Sequence, residues 1–160
     1  MKERILSLLC ENSRLCNEEI AAILETTRGE VDKAIAELEA DGIIRAYTCI
    51  IDKERISDDG VLALIELKVA PKAGRGFEEV AERISSYPEV ESCSLLSGVC
   101  DLLVTVRGRS FKEVSSFVAG ELAMIEGVSS TATQFVMKKY KELGVSLMGD
   151  EDDGRGRVSL

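Results

Sequence analysis

An α+β fold in two domains is predicted by three observations on the 160-residue chain. Residues 1–52 carry three apolar stripes at helical spacing, and the third opens on a capping box and closes at Gly42. Residues 61–144 alternate strand and helix patterns in the order βαββαβ. Between them, residues 53–60 read KERISDDG, a polar stretch that ends in a turn signal and is expected to be a linker. Residues 145–160 are charged and Gly-containing at their end and are expected to be a disordered tail.

In the first domain, Ile5, Leu6, Leu8 and Leu9 share one broad helical face over residues 2–12. Asn17 stands as a cap before Glu18 and Glu19, with Ile20, Ile23 and Leu24 as the stripe of a short second helix. Thr27 and Glu30 have the spacing at which each satisfies the other's orphan backbone donor. Val31, Ile35 and Leu38 then recur at i, i+4 and i+7. Two short helices joined by a tight turn form a helix-turn-helix, whose last helix can lie in a DNA major groove. Residues 43–52, IIRAYTCIID, are rich in β-branched residues and predict a strand.

In the second domain, residues 61–70 read as a strand whose even positions pass from Leu62 and Leu64 to Glu66 and Lys68, so one end of that face emerges into solvent. Residues 71–76 are a loop. Phe77, Val80, Ala81, Ile84 and Tyr87 form a helical stripe stopped by Pro88. Residues 90–96 and 102–107 are two strands joined by a polar break that contains Gly98 and Asp101. Ser110 and Glu113 form another capping box, and Phe111, Val114, Val118, Leu122 and Ile125 mark the buried face of a helix ending at Gly127. Residues 128–137 alternate and are Thr-rich, as in a half-exposed strand. This order is the ferredoxin-like layout, an antiparallel sheet with both helices on one face.

Composition narrows the chemistry. With no histidine, the chain cannot build a Cys-His or Ser-His-Asp nucleophile, and its five scattered cysteines lack a C-x-x-C pair or a zinc spacing. No catalytic residue, metal ligand or cofactor is therefore expected, and the protein is read as not an enzyme. An odd cysteine count argues for reduced thiols. No run approaches the roughly 18 apolar residues that cross a bilayer, so a cytoplasmic protein without a membrane partner is expected. The net charge of −9 is uneven: residues 1–52 hold 6 basic and 11 acidic residues, and residues 61–144 hold 10 and 11. A nucleic-acid binder normally presents a basic footprint, so the acidic first domain weighs against that role.

The local motifs, in order, are Ile5-Leu6 with Arg14 and Ile20-Ala21, then residues 38–47 (LEADGIIRAY), then residues 97–101 (SGVCD), then Gly127-Val128 leading to Thr131 and Thr133. In this order and spacing the chain resembles the Lrp/AsnC (feast/famine) transcriptional regulators from residue 4 to about 143. The resemblance implies a winged helix-turn-helix that binds double-stranded DNA, with Thr27, Arg28, Lys33 and Arg45 as its contacts. It also implies a C-terminal domain that dimerises through its sheet and assembles into tetramers or octamers. A small effector, commonly an amino acid, would sit on Ser97, Gly98, Val99, Cys100 and Asp101, with Thr131 and Thr133 on the strand lining the site.

The residues themselves carry plainer readings alongside. Asp101 suits a turn that bonds its own backbone, and the two threonines suit an ordinary strand. The chain departs from the family where an aromatic residue usually precedes the loop aspartate, here Cys100, and where the turn between the second and third helices usually holds glycine, here Glu25. Residues 27–41 carry a net −3, which keeps alive an alternative: an amino-acid-sensing interaction protein whose helix-turn-helix no longer binds DNA.

Overall fold

A computed structural model of the chain describes residues 1–56, 60–70 and 76–148. The chain divides into two compact units, Met1–Ile51 and Asp52–Leu160.

The first unit contains α1 (Lys2–Glu11), α2 (Asn17–Leu24) and α3 (Arg28–Ala40). Ile5, Ile20, Ala21, Val31, Ala34 and Leu38 form its core. Ile23 lies outside it, 48% exposed, because the eight-residue α2 rests on the edge formed by Ile20, Ala21 and Leu24. The cap of α2 is Cys16 rather than Asn17: the Glu19 carboxylate reaches back to accept the Cys16 backbone N–H at 2.8 Å. Asn17 thereby becomes the first helical residue, and its side-chain amide donates to Asp32 on α3 at 2.6 Å. Thr27 caps α3 as expected, its hydroxyl accepting the Glu30 N–H while the Glu30 carboxylate accepts the Thr27 N–H. Gly42, at φ +66°, closes the helix, and the Ile43 N–H returns to the Leu38 carbonyl.

Residues 43–52 do not form the expected strand. Strand-prone composition becomes a strand only when a second strand supplies the ladder, and this stretch finds none among the described residues. Ile43, Tyr47 and Ile51 are consequently exposed, with the Tyr47 hydroxyl donating to Glu39 at 2.9 Å.

The second unit runs β1 (Val61–Val69), α4 (Glu78–Ser85), β2 (Val90–Leu95), β3 (Leu102–Gly108), α5 (Phe111–Gly120) and β4 (Val128–Phe135). Its antiparallel sheet has the order β2-β3-β1-β4, the ferredoxin-like arrangement that βαββαβ predicts. Ala63, Ile65, Leu67 and Val69 point from β1 into a core shared with Leu102, Val104 and Val106 of β3, and α4 and α5 cover that face. The opposite face of β1 emerges at Lys68, as the alternation predicts.

Two local expectations change. α5 stops at Gly120 instead of continuing toward Gly127; a short 3-10 turn, Leu122–Met124, follows and still buries Leu122 completely. The Glu113 carboxylate does not close a box onto the Ser110 N–H. It accepts the Arg109 N–H at 2.5 Å and takes the Arg109 guanidinium as well. Beyond β4, two further short strands, β5 (Lys141–Glu142) and β6 (Val145–Ser146), pair as a small hairpin, so the stretch expected to be a tail begins inside it. Residues 57–59 of the expected linker, 71–75 of the expected loop and 149–160 of the expected tail lie outside the described residues. Among the described residues no helix is long and apolar enough to cross a membrane.

Candidate functional site

The helical unit places its predicted DNA contacts near the start of α3 and just past its end. Thr27 is committed to the cap: its hydroxyl accepts the Glu30 N–H at 3.3 Å and donates to the Glu30 carboxylate at 3.0 Å. That carboxylate also takes the Thr26 hydroxyl, and these bonds, Thr26 first, hold Glu30 below its ordinary pKa. The acidic residue in the first turn of α3 is thus explained by helix capping. Arg28, the first residue of α3, lies 2.6 Å from Glu18 and 3.4 Å from Asp32 and remains largely exposed. Lys33 is 80% exposed, at 4.0 Å from Glu37, a carboxylate that Lys2 holds more closely at 2.9 Å. Lys2 is also the first cause of the lowered Glu37 pKa. Arg45 is exposed, with its guanidinium lying over Gly42.

The sheet unit builds the second site at one end of its sheet. Leu95 pairs with Leu102 at the close of the β2–β3 hairpin, and the Leu96 N–H donates to the Asp101 carbonyl at 2.8 Å. The loop is then tied to the next strand twice. The Asp101 N–H donates to the Leu67 carbonyl at 2.9 Å, and the Asp101 carboxylate accepts the Val69 N–H at 2.8 Å. Val69 lies just past the last β1–β3 pair, Leu67 with Leu102, so its N–H points to the β3 side of β1 beyond the end of that ladder. Asp101 therefore does bond backbone, as the plain reading of a turn aspartate holds, but that of a strand 32 residues away.

Cys100 is buried, 7% exposed, so its side chain packs inward and the exposed surface of the loop is formed by its neighbours. Val99 is 83% exposed, and a Cβ added to Gly98 would meet nothing within 4 Å. Thr131 pairs with Leu67 and Thr133 with Ile65, so both lie across β1 from the loop and on the face the helices cover. The fold thus brings the loop and Thr131 to the same end of the sheet, two strands apart, roughly 10 Å at the spacing of neighbouring strands. Thr133 lies one pair further along and is exposed.

A cleft of about 700 Å³ in this unit lies elsewhere: Val80, Arg83, Tyr87, Glu121, Met124 and Gly127 are among its lining residues, and none of the loop is. Among the described residues no group of three or more His, Cys, Asp or Glu side chains is placed to hold a metal ion.

Sequence reasoning missed Glu18, Asp32 and Asn17 as partners of the α3 start. The i, i+4 spacing of Arg28 and Asp32 was a visible signal. Glu18 and Asn17 carried none, because only the turn between α2 and α3 brings them near. The Val69 amide likewise had no signal.

A helix-turn-helix followed by a ferredoxin-like sheet whose hairpin loop is pinned to the central strand defines a DNA-binding regulator joined to a ligand-binding domain. The chain belongs to the Lrp/AsnC family of transcriptional regulators: residues 62–145 match the Lrp/AsnC ligand binding domain, and residues 1–45 match a winged helix-turn-helix DNA-binding domain. The HTH-type transcriptional regulator YugG of Bacillus subtilis is 44% identical over 156 residues, 97% of this chain and 94% of its own length. The HTH-type transcriptional regulator FL11 of Pyrococcus furiosus is 29% identical over 140 residues, 88% of this chain and 89% of its own. Among solved structures, the Neisseria meningitidis transcriptional regulator NMB0573, in complex with L-Met, is 30% identical with a TM-score of 0.69, covering 88% of this chain and 90% of that one.

Proposed function

We propose that this regulator acts in the cytoplasm as a homo-oligomer, binding double-stranded DNA through its helical unit, and that an amino acid held at the Ser97–Asp101 loop changes its assembly or its DNA affinity. Thr27 would present its backbone at the α3 start, Arg28 and Lys33 would meet phosphates or base edges, and Arg45 would reach the backbone beyond the helix end. The observation that carries the reading is the capped α3, whose two cations are exposed on one helix of a unit that matches DNA-binding modules. Because those cations lie beside carboxylates, each unit binds weakly, and several units linked in one oligomer recover the affinity.

In the effector loop Asp101 acts first as a strut. Its Oδ2 is occupied by the Val69 N–H, which leaves Oδ1 to meet an α-ammonium group. Among the described residues nothing crowds a side chain at position 98, so the open surface there suits approach of a ligand carboxylate to the backbone. Thr131 and Thr133 would complete the site from β4, with a second copy of the chain closing it. The L-Met complex of the Neisseria relative makes an amino acid the natural probe.

The test joins a salt-titrated mobility shift on DNA upstream of the chain's own gene to a thermal-shift screen of the common amino acids. Retardation that weakens with salt, together with a stabilising amino acid, is the expected result. A stabilising amino acid with no retardation even at low salt would favour the interaction-protein alternative.

A further inference from the structure

Arg28 is the cation at the first residue of α3, and it is already occupied. Its Nη1 lies 2.6 Å from Glu18 Oε1 on α2, and its Nε lies 3.4 Å from Asp32 Oδ2 one turn along α3. The other Asp32 oxygen accepts the Asn17 side-chain amide at 2.6 Å, so a continuous chain runs Asn17, Asp32, Arg28, Glu18 and joins the starts of α2 and α3. All three ionised groups stay in contact with water: Arg28 is 63% exposed, Glu18 56% and Asp32 44%. Pairs of this kind are weak and exchangeable.

We propose that Glu18 and Asp32 are a built-in phosphate mimic that competes with DNA for Arg28, so that docking of α3 is an exchange of carboxylate for phosphate. This rests on the reading that the α3 start faces DNA. A DNA phosphate reaching the guanidinium must displace Glu18, and the displaced carboxylate then stands beside a like charge. Both effects weaken binding to any sequence, because the phosphate contribution does not depend on sequence. The two acidic residues therefore set the ceiling on what a single unit can bind. Both carboxylates also tie α2 to α3, Glu18 directly through Arg28 and Asp32 through Asn17.

The experiment is a fluorescence anisotropy titration of the full chain against a random-sequence duplex across a range of salt, for wild type, Glu18→Gln, Asp32→Asn, Arg28→Ala and the double variant Arg28→Ala with Glu18→Gln. Glu18→Gln is expected to bind about 2- to 5-fold tighter at moderate salt, with a salt slope steeper by up to about 0.9. Asp32→Asn keeps an acceptor for Asn17 and is expected to move in the same direction by a smaller factor. Arg28→Ala is expected to bind more weakly, and in that background Glu18→Gln is expected to gain less than half the factor it gains alone. If Glu18→Gln matches wild type, or gains as much without Arg28 as with it, the competition is overturned while DNA binding stands. If no variant and no wild-type sample binds DNA at any salt, the DNA reading fails, and this proposal with it.

Discussion

The helical unit centres on six buried apolar side chains, the sheet unit on thirteen, among the described residues. The difference in how each is held is larger than the difference in size. In the sheet unit, β1 is hydrogen-bonded on both sides and its inward side chains sit under two helices, so strand, ladder and core support one another. In the helical unit, short helices lean on caps and carboxylates: Glu19 at α2, Glu30 at α3, Glu37 at Lys2. The DNA-binding unit is thus fastened by the same kind of groups that DNA attracts or repels, while the ligand-binding unit is fastened mainly by apolar packing.

The largest expected effect breaks the sheet side of this comparison. Ile65→Ala removes a fully buried side chain from the centre of β1 and is expected to cost about 2–5 kcal/mol, read as a lower chemical-denaturation midpoint. Next is Asp101→Ala. It leaves the Val69 N–H without its acceptor and is expected to cost about 1–3 kcal/mol, and to abolish any amino-acid thermal shift that depends on the loop.

On the helical side the steps are smaller. Thr27→Ala removes the α3 cap and is expected to cost about 1 kcal/mol, seen as faster amide exchange in residues 28–31. Glu25→Gly works in the opposite direction. Glu25 occupies the left-handed region at φ +54°, where a side chain is strained, so glycine there is expected to stabilise the unit by up to about 1 kcal/mol.

Acid should separate the two units without any substitution. Glu19, Glu30 and Glu37 all have folded pKa values held below the ordinary 4.5, through the Cys16 N–H, the Thr26 hydroxyl and Lys2 respectively, and in the sheet unit Arg109 holds Glu113 down in the same way. A depressed folded pKa contributes stability that is present above the ordinary carboxylate value and is lost as pH falls through the folded one. Lowering pH below about 4.5 is therefore expected to loosen the amides of residues 2–40 before those of β1 and β3, measurable by residue-resolved hydrogen exchange.

What was legible in the sequence divides along the same line. Apolar patterning located α1, α3, α4, β1 and β3, because each buries one face, while β2 and β4, which bury no side chain fully, followed from the hairpin break and the Thr-rich composition. The Thr27 cap was legible because both partners lie within four residues. The α2 cap was misplaced by one residue because Asn17 is an ordinary cap residue and Cys16 is not; the Glu19 carboxylate decided it. The strand over residues 43–52 failed for a different reason: propensity states a preference, and a ladder needs a partner. At the loop, residues 97–101 could be singled out by their position in the hairpin, but the bond from Asp101 to Val69 spans a separation no local pattern encodes.

The division of labour between the units is tested most directly by measuring DNA affinity of the full chain on its own upstream region, with and without a saturating amino acid that stabilises the protein in the thermal-shift screen. The expected result is salt-dependent binding whose affinity, or whose retarded species, changes when the amino acid is added, and no such change in the Asp101→Ala protein. DNA binding in wild type that is identical with and without the amino acid, in both affinity and the size of the complex, would contradict it.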